Sequence, residues 1–239
     1  IIVGMMVVNI FLCLSATNAF SSNRMLIVPH VYQEYETHWC WAAAPKMIMD
    51  YYGTYVDLCT ILGDAAYDCY YDCYDPQCKS IEAADLCSTC SQILSYYGNI
   101  GSSSIVGALL YDSAGSGVKQ QIDANKPFIV RWQRNSQYYD PAGGHAVVVI
   151  GYDDNNTQVV YHDSKYPPGG TYPTDGDFVY MSYSYFVGST VYPNAYPNAW
   201  THTVTLNDPT TVYKTTYYND STVYSGRYNK LDFYGCESS

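Results

Sequence analysis

Cys40 stands between Trp39 and Trp41, where the polar stretch from Gln33 to His38 gives way to an apolar, alanine-rich run. A thiol at a helix start is favoured as thiolate by the backbone dipole, and a neighbouring histidine helps further. Together they take its pKa from about 8.5 to roughly 3.5–7.5. A histidine suited to this heads the run His145 to Tyr152, just after Gly143 and Gly144. The pair points to a cysteine nucleophile with a histidine that accepts and returns its proton. Gln33, upstream, offers a side-chain NH₂ that would join the Cys40 backbone N–H in an oxyanion hole, worth roughly 3–4 kcal/mol per well-placed donor.

A β-hairpin brings a carboxylate to the histidine. Asp153 to Thr157 reads as a turn, with one strand running back to His145 and the other forward to Asp163. With Tyr152 paired to Gln158, Val147 falls opposite Asp163 and His145 is its diagonal neighbour, roughly 7–8 Å away at Cβ. Asp163 then accepts from the imidazole Nδ1–H and steadies the imidazolium. His162 is the rival histidine, but strand neighbours face opposite ways, so it cannot share a face with Asp163. His30, His38 and His202 lack an equivalent setting. The plain alternatives are a buried or half-cystine Cys40, a satisfied polar His145, a turn-capping Asp163 and an exposed Gln33.

These residues need a helix and a sheet to hold them. Trp41 to Tyr52 carries apolar residues at helical intervals, stopped by Gly53, with Pro45 inside the pattern near the first turn. Val56 to Leu62, Ser91 to Tyr97 and Val106 to Ala124 read as further helices, the last interrupted by Gly115 and Gly117, and Met25 to Tyr32 as an extended lead-in. The segments 127–132, 145–152, 158–162, 178–186 and 201–206 read as strands, rich in β-branched and aromatic residues. Helices followed by strands imply an α+β fold with two lobes, about 24–125 helical and about 126–205 β. Residues 206–239 form a Tyr/Thr-rich extension.

The formal net charge of −11, from 22 acidic and 11 basic residues, disfavours nucleic acid or an anionic membrane as partner. Residues 1–19 have the apolar stretch and the small residues Thr17-Asn18-Ala19 of a signal peptide, and are too short an apolar run to span a bilayer. Secretion is therefore expected, with no membrane contact in the mature form. The chain has nine cysteines. Apart from Cys13 and Cys40 they are Cys59, Cys69, Cys73, Cys78, Cys87, Cys90 and Cys236, an odd set. The cluster from Cys69 to Cys90 reads as a disulfide-stapled loop in an oxidising compartment. Its spacings fit no zinc finger, and Cys87-Ser-Thr-Cys90 alone is a weak redox motif. Asn155 and Asn219 begin glycosylation sequons. No metal or cofactor is expected.

Gln33, Trp39-Cys40-Trp41, the helical run to Gly53, Gly144-His145 with its strand, and Asp163 follow one another as in the papain-like cysteine peptidases. Across about Val28 to Val204 the chain most resembles the bacterial effector-type and bacteriocin-leader-processing branches. The resemblance implies a helical lobe whose nucleophile helix packs on an antiparallel sheet. It also implies Cys40 as nucleophile, His145 as base and acid, Asp163 as its orienter and Gln33 at the oxyanion hole. Gln33 lies one residue further from the cysteine than is usual in that family. The activity implied is hydrolysis of a peptide or protein substrate through a thioester. Acyl transfer to an amine on the same fold, or a catalytically dead extracellular binding or matrix protein, are the alternatives.

Overall fold

A computed structural model of the chain describes residues 23–33, 37–65, 76–79, 83, 85–134, 144–165, 176–188 and 198–207. The signal-like segment, Cys13, Cys69, Cys73, Cys236, the Asn219 sequon and the tail after Thr210 lie outside these residues. The strands are β1 (Asn23–Met25), β2 (Ser102–Val106), β3 (Phe128–Arg134), β4 (Gly144–Asp153), β5 (Gln158–His162), β6 (Val179–Ser182) and β7 (Asn198–Leu206). The helices are α1 (Cys40–Tyr51), α2 (Leu58–Ala65), α3 (Pro76–Lys79), α4 (Leu86–Gly98), α5 (Val118–Asp123) and α6 (Tyr183–Val187).

The sheet runs β2-β7-β3-β4-β5-β6, and every pairing is antiparallel. β4 is its spine. Nine of its ten residues are buried, because His145 to Asp153 are covered on both faces, which explains the nearly unbroken apolar run. β3 pairs with β4 only as far as Val149, and β1 takes over beyond it, opposite Gly151 to Asp153. Gly151 permits this, since a Cβ there would lie 2.6 Å from the Arg24 carbonyl oxygen. The segment read as a lead-in thus begins as a strand of the sheet.

α1 and α4 pack on each other, α1 against β4 and α4 against β2 and β7. Ala42, Ala43 and Ala44 are wholly buried; small residues let the helix approach the strand closely. Pro45 has no N–H to give the Trp41 carbonyl, its partner four residues back. The Cys90 thiol takes that place and donates to Trp41 O at 3.5 Å. Cys90→Ala should therefore cost about 1–3 kcal/mol in urea unfolding. Cys90→Ser should lose less, and the Cys90→Ala penalty should shrink in a Pro45→Ala background, where the N–H restored by that substitution serves the carbonyl. Equal penalties in both backgrounds would refute this account.

The stapled-loop reading needs correction at its end. Cys59 and Cys78 each take part in a disulfide, but Cys87 and Cys90 are free thiols buried on α4. Burial pushes the Cys87 thiol up to about 11 and Cys90 higher than its ordinary value too, so neither is a ready nucleophile. Val106 to Ala124 also differs from expectation. Only Val118–Asp123 is helical, while Val106 ends β2 and Gly107 and Gly115 take positive φ. Likewise 178–186 divides into β6 and the short α6.

Candidate active site

The two long helices begin differently. Asp85 caps α4, its carboxylate accepting from the Cys87 and Ser88 N–H groups at 3.1 and 3.3 Å. At α1 the N-cap residue is Trp39, and no side chain caps the helix. Its first N–H groups lack partners within the helix and direct a positive field at what precedes them. Cys40 is the first residue of α1. Trp39 Nε1 donates to Cys78 O at 2.7 Å and His38 N–H to Lys79 O at 2.9 Å, tying the approach to α3.

His145 meets Cys40 from β4, the two side chains hydrogen-bonding. Burial on its own would push the Cys40 thiol up. The hydrogen bond and charge of His145, aided by the Ala146 N–H, outweigh it and hold the thiol below its ordinary value. Burial would likewise lower His145, yet the Asp163 carboxylate and then Cys40 push it up to about 9. Both shifts favour a thiolate–imidazolium pair at neutral pH, one ion stabilising the other in a site closed to water.

Asp163 Oδ1 accepts from His145 Nε2–H at 2.6 Å, which leaves Nδ1 for Cys40. This corrects the expected use of Nδ1 by the carboxylate. The histidine root lies on β4 beside Cys40, so the nearer nitrogen faces the sulfur and the farther one reaches across to Asp163. Next to the turn the register differs by one from expectation, with Asp153 opposite Gln158 and Tyr152 opposite Val159. A bulge between Val149 and Gly151 absorbs the difference, so that Val148 faces His162. Extended one step, that pairing sets Val147 against Asp163 and leaves His145 on the diagonal.

Asp163 is fixed through its backbone and side chain. Its N–H donates to Gly176 O at 2.6 Å, its carbonyl accepts from His30 Nε2–H at 3.1 Å, and Oδ1 accepts from Lys165 N–H at 3.0 Å. His30 is thus a positioning residue that sequence reasoning set aside. Trp132, with its ring centroid 6.4 Å from that of His145 and only 3% exposed, shields the imidazole from water. Gln33 is buried, not an exposed loop residue. Its Nε2 donates to Thr37 O at 2.6 Å, and its Oε1 accepts from Ser164 Oγ at 2.7 Å. The structure brings Cys40, His145 and Asp163 together; the hydrogen bonds of Gln33 run to its own loop and to the residue after Asp163.

His162 faces away from the carboxylate. Its Nε2–H donates to Val28 O at 2.9 Å and its Nδ1 accepts from Phe178 N–H at 3.1 Å. Burial first, and the nearby His30, push its pKa down to about 4. Protonating Nδ1 would remove the acceptor for Phe178 N–H. The unfolded chain therefore binds this proton more readily, and stability should fall as pH drops from 6.5 to about 4, by up to about 3 kcal/mol. Urea unfolding across that range should show the slope, and His162→Gln should flatten it.

Among the described residues no group of His, Cys, Asp and Glu is arranged to hold a metal ion, and no helix is long and apolar enough to cross a membrane. A hollow near the hairpin turn, lined by Arg24, Met25, Tyr152, Asp153 and Tyr180, carries no nucleophile.

A cysteine heading a helix packed on an antiparallel sheet, with a strand-borne histidine and an acid beyond it, defines the α+β architecture of the papain-like cysteine peptidases. More narrowly, the chain belongs to the Peptidase_C39 like family, whose model matches residues 25–191. No curated protein matches the chain closely enough to count as a relative.

Proposed function

We propose that the chain is a secreted cysteine peptidase that cleaves a peptide or protein substrate through a Cys40–His145–Asp163 triad. The observation that carries this reading is the buried Cys40–His145 contact, backed by the 2.6 Å hydrogen bond from His145 to Asp163. Cys40 thiolate adds to the scissile carbonyl carbon. The resulting oxyanion takes the Cys40 backbone N–H, which has no helical partner, and the second amide N–H of Gln33, whose first is given to Thr37. Collapse expels the leaving amine, which takes the Nδ1 proton of His145 and leaves a thioester. Neutral His145 then removes a proton from water as it attacks, and hydrolysis returns the thiolate and the imidazolium.

Secretion is supported by the disulfide-bonded Cys59 and Cys78, the signal-like start and the exposed Asn155 in the β4–β5 turn. The test is turnover of a peptide library by the purified chain, with and without prior alkylation by iodoacetamide. Hydrolysis should be lost in step with one carboxamidomethyl group on Cys40. Ligated products would favour acyl transfer, and no turnover despite Cys40 labelling would favour a binding protein.

A further inference from the structure

Across the sheet, Val106, His202, Arg131 and Ala146 are successive Cα partners on β2, β7, β3 and β4. Directly paired residues share a face, so the Arg131 side chain is the cross-strand neighbour of Ala146. The N–H of Ala146 hydrogen-bonds the Cys40 sulfur. Arg131 also leans on the residue before the catalytic histidine. A Cβ built on Gly144 would lie 2.6 Å from Arg131 Nε. Glycine there leaves room for the guanidinium beside the start of β4.

That guanidinium is only partly exposed, and no described carboxylate forms an ion pair with it. Its described hydrogen bonds go from Nη1 to Thr201 Oγ1 at 3.3 Å and to His202 Nδ1 at 3.4 Å. Nη2 is left over, in a group whose planar fork suits a carboxylate. His202 does not compete as a cation, since burial and then Arg131 itself keep its pKa below the ordinary value. Among the described residues, Asp85 is an acid that acts on His202, and its carboxylate caps the N-terminus of α4. In a chain with 22 acidic and 11 basic residues, a half-covered cation with no carboxylate partner among the described residues is unusual, and an incoming one would offset its lost hydration.

Sidedness follows from the sheet. Trp132, next to Arg131, is the Cα partner of His145, so the imidazole and the guanidinium lie on opposite faces. The leaving amine takes its proton from the imidazole, which puts the leaving half of the substrate on that side and the acyl half towards Arg131.

We infer that Arg131, between Gly144 and His202, forms a subsite beside Cys40 that takes an acidic side chain on the acyl half of the peptide substrate. This rests on the peptidase reading above and adds a substrate class to it. The test uses peptidyl vinyl sulfones with Glu or Gln at each of the three positions before the electrophile, with iodoacetamide as the control. In the wild-type chain one position should favour Glu by about tenfold or more in the rate of Cys40 alkylation. Arg131→Gln should bring that ratio close to one, with each rate taken relative to iodoacetamide alkylation of the same variant, and Arg131→Lys should keep part of it. Equal Glu and Gln rates at every position in the wild type, or a ratio that survives Arg131→Gln, would overturn the subsite. Labelling without an acidic preference removes the subsite alone, whereas a Cys40 inert to iodoacetamide removes the peptidase reading and the subsite with it.

Discussion

His145→Ala should abolish turnover while leaving the fold intact. The side chain is buried at the edge of the helix–sheet junction, and its two hydrogen-bond partners among the described residues are Cys40 and Asp163. Without it, burial becomes the dominant influence on Cys40, and the thiol returns to or above its ordinary value near 9. At neutral pH the thiolate fraction then drops to about 1% or less, so alkylation by iodoacetamide should slow by about 100-fold. Peptide hydrolysis also loses the proton donor to the leaving amine, a contribution of roughly 10²–10⁴-fold, and kcat/KM should fall by about 10⁴-fold or more. The two measurements separate the roles: alkylation reads thiolate formation alone, and hydrolysis reads thiolate and acid together. An unchanged alkylation rate would mean that the helix terminus, not the imidazole, sets the state of the sulfur.

The meeting of Cys40, His145 and Asp163 was more legible in the sequence than the residues that support it. Cys40, His145 and Asp163 could be named because each sits at a boundary: polar loop to apolar helix, glycine pair to strand, strand end to turn. Period-two alternation was enough to separate Asp163 from His162, whose ring is committed to Val28 and Phe178. Alternation could not say which imidazole nitrogen meets the acid, since that depends on the histidine rotamer and on where α1 crosses β4. Pro45 looked like a defect in the nucleophile helix, and its compensation by Cys90 lies 49 residues from Trp41 in the chain, beyond any local pattern. β2 escaped notice for a different reason. Ser102 to Val106 is an edge strand with almost no buried face, so nothing in its polarity distinguished it from a loop. The helix expected over 106–124 is broken at Gly115, where an interruption was expected, and also at Gly107, both at positive φ, so only Val118–Asp123 is helical. His30 and Ser164 were invisible as supports because they act through a carbonyl and an amide oxygen, contacts without a sequence signature.

Asp163→Asn isolates the charge of the acid from its geometry. An asparagine oxygen at the same place still accepts from His145 Nε2–H, so the ring should keep its orientation and Nδ1 should still face Cys40. What disappears is the negative charge, the largest influence raising His145. The imidazolium should therefore lose its proton at lower pH. In the wild type the reactive ion pair exists between the lowered Cys40 transition and a His145 transition at about 9. The profile of kcat/KM against pH should be bell-shaped, with its alkaline limb near that upper value as a property of the coupled pair. In Asp163→Asn that limb should move to lower pH, and kcat/KM at neutral pH should fall by about 10- to 100-fold. Asp163→Ala removes the acceptor as well as the charge, freeing the ring to turn, and should cost more in kcat than the asparagine variant does. An alkaline limb that stays near its wild-type position in Asp163→Asn would show that the thiolate, rather than the carboxylate, holds the proton on His145. Asp163 would then act by orientation alone.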